Sequence, residues 1–202
     1  MPVAELPQRH AERWSRATRH HFLTAVRDGS IATSAFDVWL VQDYRFVADL
    51  LGFQARLLAR ATRQAQPVLA SGAVALVDEL GWFEEQAAVR GLDLSAPALP
   101  ATAAYAELLS RLDITDVDIA LTSLWTIERT YLDAWSFASR GADEYRTFVE
   151  HWTTPTFATY VDTLEQAADH AVGPGRTDSR LDDTFTELVE AETRFWDMAC
   201  AD

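Results

Sequence analysis

Residues 36–51 read FDVWLVQDYRFVADLL, and their spacing decides the fold. Phe36, Trp39, Leu40, Val47, Leu50 and Leu51, continued by Leu58, recur at intervals of three and four, the repeat of an amphipathic helix. Asp43 lies in the middle of this stripe, four residues from both Trp39 and Val47. An acid therefore faces inward where periodicity expects a core side chain, and burying it costs free energy unless it finds partners.

The same repeat extends through most of the chain, broken by Gly29, Pro67, Gly91, Pro97, Pro100, Gly141, Pro155 and the Gly173-Pro174-Gly175 run. Gly52, Gly72 and Gly81 fall inside helical stretches, where glycine costs ~1 kcal/mol. Caps are available at Thr33 or Ser34, at Thr115 or Asp116, at Thr154 with Pro155 in the first helical position, and at Asp178. Alternating strand patterns, fixed-period repeats and low-complexity tracts are absent. The spacing predicts helices over 3–28, 35–64, 67–90, 98–112, 116–139, 142–152, 155–171 and 178–199. The expected fold is an all-α bundle in one domain spanning residues 1–202.

The 202 residues are 49% hydrophobic, enough for a sizeable core, and 31 acids against 17 basic residues give a formal charge of −14. Such a field repels nucleic-acid backbones and anionic lipid surfaces, so neither nucleic acid nor membrane is an expected partner. The single cysteine, Cys200, can form no internal disulfide, which points to a reducing compartment. The early Glu5 interrupts any leader-like apolar run, and no segment reaches the ~20 apolar residues of a membrane span. A cytoplasmic location is expected.

Three further polar groups lie on apolar faces. Glu192 takes the central slot among Leu181, Phe185, Leu188, Val189, Phe195, Trp196 and Ala199. Ser123 shares a face with Ile119, Ala120, Leu124, Ile127, Tyr131 and Trp135, and Tyr105 lies with Leu108, Leu109 and Leu112. Each has a purely structural alternative. Arg56, Arg60, Arg129 or Arg194 could neutralise the acids, Ser123 could bond a carbonyl one turn back, and Tyr105 could be an ordinary core aromatic. Together, two acids and two hydroxyls on four helices could instead line a polar cavity for a flat, nitrogen-rich ligand. Trp39, Trp82, Trp125, Trp135, Trp152 and Trp196 could supply its walls as well as core. No Glu stands three residues before His10, His20, His21, His151 or His170, which excludes a bundle di-iron site. No phosphate loop, nucleophile elbow or Cys-x-x-Cys occurs, and no cofactor or metal is expected. His20 or His21 as an axial haem ligand is the weaker alternative.

These residues resemble the TenA, or thiaminase II, proteins. The resemblance is carried by Trp39-Leu40-Val41-Gln42-Asp43-Tyr44-Arg45-Phe46, by Pro100 with Tyr105, by Leu121-Thr122-Ser123-Leu124-Trp125, by the segment from Tyr145 to Trp152 with Phe157, and by Glu192-Thr193-Arg194-Phe195-Trp196. It implies a haem-oxygenase-like helical fold, a homotetramer and a small-molecule aminopyrimidine as ligand. Asp43 then corresponds to the acid that hydrogen-bonds the aminopyrimidine, and Glu192 to the glutamate that handles protons during cleavage. Tyr44, Phe46, Tyr105 and Trp152 would frame the ring, and Ser123 would hydrogen-bond the ligand or a water. Ser123 falls at the position of the family's nucleophilic cysteine, with no adjacent histidine to activate its hydroxyl. Phe46, Ile127 and Trp152 stand where that branch has tyrosines.

The resemblance thus implies a cysteine-independent aminopyrimidine aminohydrolase of thiamin salvage, with a binding or accessory protein that has lost the chemistry as the alternative. On the first reading Glu192→Gln abolishes turnover while ligand binding stays measurable, and unchanged turnover removes Glu192 from the mechanism.

Overall fold

The computed structural model describes residues 2–174 and 179–200, so the expected cap at Asp178 and the turn residue Gly175 lie outside the described residues. A 3₁₀ turn, Val3–Glu5, leads into α1 (Leu6–Arg9), α2 (Ala11–Thr18), α3 (His21–Asp28), α4 (Thr33–Arg60) and α5 (Gln66–Arg90). Then follow α6 (Pro100–Leu112), α7 (Val117–Phe137), α8 (Arg146–His151), α9 (Pro155–Val172) and α10 (Ser179–Ala199). No strand occurs among the described residues, and the architecture is all-α.

Where the helices depart from the periodicity, local hydrogen bonding explains the difference. The stretch expected as one helix over 3–28 breaks at His10 and again at Arg19–His20. At the second break His20 adopts an extended backbone, and its Nδ1 accepts from the Phe22 amide, capping α3. Apolar spacing continues across such a break, so it gives no sign of the chain turning. The helix expected over 142–152 shrinks to α8, because the Ala142 amide donates to the Arg27 carbonyl and Arg140 holds a positive φ of 68°. Thr154 caps α9 as expected, accepting from the Phe157 amide at 3.1 Å. Neither Thr33 nor Ser34 caps α4, whose N-cap position falls at Ala32. Asp116 holds the N-cap position of α7, yet its carboxylate pairs with Arg180 at 3.1 Å.

One hydrophobic core joins α4 through α10. Helix α4 packs on α5 and α6, while α7 packs on α9 and α10. An aromatic cluster ties the centre together: Trp39 meets Trp135 at 5.2 Å between ring centroids, and Trp135 stacks on Trp152 at 4.8 Å. Tyr131 stacks on Trp196 at 5.7 Å. Trp39, Trp125, Trp135 and Trp196 are fully buried and serve as core, whereas Trp82 and Trp152 stand toward the space between α5 and α8.

Gly72, inside α5, has a specific reason to be glycine. A Cβ there would lie 2.3 Å from both Gln54 Nε2 and Tyr160 Oη, far inside contact distance. Gln54 cannot easily yield, because it is fully buried and its Nε2 donates to the Leu69 carbonyl at 2.8 Å. Glycine at 72 therefore lets α5 approach α4 and α9 closely and leaves the Tyr160 hydroxyl in place. Gly72→Ala should destabilise the fold by about 1–3 kcal/mol despite alanine's better helix propensity. Thermal unfolding checks this, and an unchanged or raised midpoint would refute the close-approach explanation.

Candidate functional site

Helices α4, α5, α7 and α9 enclose a cavity of about 300 Å³, with the end of α8 at one side. Phe46, Ile127, Tyr131, Trp152 and Phe157 supply apolar wall, and Glu79 from α5 and Glu128 from α7 bring carboxyl groups to it. Behind that wall lie Asp43, with no exposed surface, and Glu192, at 1%. The four acids come from four helices. Each interacts with a side chain of one aromatic residue.

Tyr131 donates to Asp43 Oδ2 at 2.6 Å, and Tyr105 donates to Glu192 Oε1 at 2.5 Å. The Trp152 indole Nε1 donates to Glu79 Oε1 at 2.6 Å. The Tyr160 hydroxyl lies between Gln54 Oε1, at 3.3 Å, and Glu128. Asp43 Oδ1 is buried and has no hydrogen-bond partner. The arginines that could have quenched these acids are engaged elsewhere. Arg56 pairs with Asp113 at 2.7 Å, Arg129 pairs with Asp133 at 3.0 Å, Arg60 donates to the carbonyls of Leu112 and Thr115, and Arg194 is exposed.

Among the described residues no cation pairs with these acids, and burial dominates their electrostatics. Loss of hydration pushes Glu192 up to about 8, against the opposing hydrogen bond from Tyr105. Burial, followed by the neighbouring Glu79 and Glu192, pushes Glu128 up to about 8. Burial alone raises Glu79 to about 7, while the Trp152 hydrogen bond pulls the other way. Asp43 is raised well above its ordinary value, chiefly by burial and further by Glu79 and Glu192. Glu79 and Glu192 thus act on both Asp43 and Glu128. His151, at the same cavity, is held down to about 4 by burial and stacks on Trp82 at 4.0 Å.

The sequence-derived candidates occupy different places. Phe46 and Trp152 line the cavity. Asp43, Glu192 and Tyr105 form its buried backing, with Tyr105 packed on Phe46 at 4.6 Å. Tyr44 is corrected: its hydroxyl points outward and donates to Glu84 at 3.1 Å, in an exposed contact. Ser123 is corrected as well, because its hydroxyl donates to the Ile119 carbonyl at 2.8 Å and it borders a separate crevice between α7 and α10. That crevice is too narrow to admit a water molecule. The structural alternative for Ser123 describes its actual bond, and the serine has no access to the cavity.

Glu79, Glu128, Tyr160 and His151 were missed from the sequence. Glu79 was legible, since it continues the Val68, Leu69, Gly72, Leu76 and Phe83 stripe of α5. Glu128 was not, because α7 is buried on nearly every side and offers no polar face against which an inward acid stands out. The histidines considered for haem do not line the cavity. His20 accepts at Nδ1 from a backbone amide, so its neutral ring carries the proton on Nε2, facing Asp197 at 3.0 Å. This arrangement leaves His20 no lone pair for a metal, although His20, His21 and Asp197 lie close together.

An all-helical bundle that encloses a cluster of carboxyl groups behind aromatic walls is the class these observations define. The description TENA/THI-4/PQQC family matches residues 7–202. The chain belongs to that family. A Glycine max protein named "Probable bifunctional TENA-E protein" is 28% identical over 95% of this chain and 90% of its own length. A TenA homologue from Pyrococcus furiosus superposes with a TM-score of 0.92 at 28% identity, covering 98% of this chain and all of the other. A structure described as a TenA family transcription regulator from Silicibacter shares the fold at 18% identity, with a TM-score of 0.92 over 100% of this chain and 97% of the other.

The buried acids also carry a consequence for stability. A carboxyl raised on folding binds its proton more tightly in the folded than in the unfolded chain, so its contribution is complete below the unfolded value and is lost as pH rises through the folded one. For Glu79, Glu128 and Glu192 that loss begins near pH 4.5 and is complete just above about 7 for Glu79 and about 8 for Glu128 and Glu192. His151 has the opposite sign and acts at lower pH, where charging it opposes folding. The thermal midpoint should therefore fall by several degrees from pH 6.5 to 9, and Glu128→Gln should flatten that fall. A midpoint independent of pH in this window would contradict the assigned protonation.

Proposed function

We propose that the chain is a TenA-type hydrolase that cleaves the 5-methylene carbon–nitrogen bond of a 4-amino-5-aminomethyl-2-methylpyrimidine or a close relative, releasing the hydroxymethylpyrimidine and ammonia. One observation carries this reading: Glu79 and Glu128 line a cavity between aromatic walls, Asp43 and Glu192 are buried behind it, burial raises all four acids, and no thiol or activated hydroxyl lines the cavity among the described residues. Such a site suits proton transfer and water attack better than covalent catalysis. Membership of the TENA/THI-4/PQQC family supports the same class of chemistry.

In this proposal the heterocycle packs against Phe46, Tyr131 and Trp152. Asp43, through its unpartnered Oδ1, accepts a hydrogen bond from the ring amine. Glu192, held by Tyr105, shares the proton that the departing amine carries away as the C–N bond breaks. Glu79 is raised to about 7 and so is partly ionised at neutral pH; it takes a proton from the water whose oxygen bonds the methylene carbon. The water oxygen replaces the amine nitrogen: water keeps one hydrogen as the alcohol hydroxyl and gives the other to Glu79, Glu192 supplies one proton to the leaving ammonia, and the two acids together end with as many protons as they began. Ser123 has no part in the reaction.

Incubation with the aminomethylpyrimidine followed by chromatography tests the proposal. The protein should form the hydroxymethyl product, and Glu79→Gln and Glu192→Gln should each lower kcat by about 10²–10⁴-fold, the usual contribution of a general acid or base. Ser123→Ala should retain turnover. Binding without any turnover by the unaltered chain would overturn the hydrolase proposal in favour of an accessory binding protein.

A further inference from the structure

The cavity's charge balance is one-sided. The sequence contains no lysine, so its 17 basic residues are all arginines. The arginines carried by α4, α5 and α7 are occupied: Arg45 by the Ser95 and Ala96 carbonyls, Arg90 by Asp37, and Arg56, Arg60 and Arg129 as already described. From the elements surrounding the space, the titratable groups are acids, phenols and one imidazole. Helix α4 brings Asp43, and α5 brings Glu79 with Asp78 at the outer edge. Helix α7 brings Glu128 and Tyr131, while Tyr160 comes from α9. Tyr105 of α6 and Glu192 of α10 close the back. The imidazole is His151, at the end of α8, and burial keeps it neutral.

A ligand entering this space therefore supplies whatever positive charge the site will hold. Ionising a carboxyl there is costly while the cavity contains no cation, and a cation beside it removes much of that cost. The aromatic faces of Phe46, Tyr131 and Trp152 add cation–π attraction in a desolvated setting. Anions meet the carboxyl cluster, Asp78 at the edge and a chain of net charge −14.

Resting on the reading that this cavity is the ligand site, we infer that it selects its ligand by charge: it takes a flat aromatic cation, an arylmethylammonium or a protonated amidine, and expels a proton to solvent as that cation enters. The proton comes from a carboxylic acid of the cluster, which becomes the carboxylate partner of the bound cation. A primary amine is protonated in neutral water, while the corresponding alcohol is uncharged. An aminomethyl substrate is thus held and a hydroxymethyl product let go.

Isothermal titration of the full chain tests this without depending on turnover. Benzylamine, benzamidine, benzyl alcohol and benzoate are titrated at pH 7 in phosphate and in HEPES, buffers with different heats of ionisation. The two cations should bind at least tenfold more tightly than the alcohol, benzoate should not bind, and the heats should differ between buffers by the equivalent of about one released proton. From pH 6 to 7.5 the cations' Kd should fall by up to tenfold per pH unit, the limit for one linked proton. Glu128→Gln should reduce both proton release and the preference for cations. Equal affinity for amine and alcohol, identical heats in the two buffers, or no binding by either cation would overturn the inference. Running the aminomethylpyrimidine cleavage assay on the same preparation separates the two claims. Cleavage without charge preference defeats this inference alone, and charge preference without cleavage defeats the proposed reaction alone.

Discussion

Four carboxyl groups from α4, α5, α7 and α10 gather in and behind one apolar-walled cavity, with no cation paired to them among the described residues, and much of the molecule's organisation follows from accommodating them. Hydration lost on burial would make ionised acids there very costly, so the interior favours the protonated forms of the glutamates. Paired arginines would have relieved the cost but would also have quenched the acids. Aromatic donors serve instead. A phenol or indole gives a carboxyl one hydrogen bond while contributing apolar surface to the core and leaving the acid able to exchange protons.

This solution links packing to chemistry. Tyr131, which holds Asp43, stacks on Trp196, and Trp152, which holds Glu79, stacks on Trp135. The rings that orient the acids are thus themselves fixed by the central aromatic cluster. On the far side, Gly72 lets α5 come close enough for Gln54 and Tyr160 to meet beside Glu128. Asp43, Glu128 and Glu192 stand on the buried side of the cavity, while its α5 and α9 side carries exposed residues such as Ala75 and Thr156.

The family fold is shared with proteins at 28% identity and with others at 18%, so the bundle tolerates wide change in sequence. Ser123 stands in a segment that resembles the cysteine region of the better-known branch, yet its hydroxyl is spent on its own helix and faces a closed crevice. Glutamates on α5 and α7 face the cavity instead. In the proposed reaction Glu79 and Glu192 move the protons, and water is the attacking group.

The sequence by itself determined the all-α architecture, most helix boundaries, and the inward direction of Asp43 and Glu192. These properties depend on the 3.6-residue repeat and on which residues water rejects, and both can be read along one helix. It also contained Glu79, on a stripe as regular as the one that revealed Asp43. Only the tertiary structure decided that the acids meet one another rather than arginines, that Tyr44 turns outward, and that Ser123 faces the wrong crevice. Glu128 too needed the packed structure, because a helix buried on nearly all sides gives its acids no contrasting face. Which groups become neighbours depends on how helices far apart in sequence pack, and periodicity within one helix carries no information about the helix beside it.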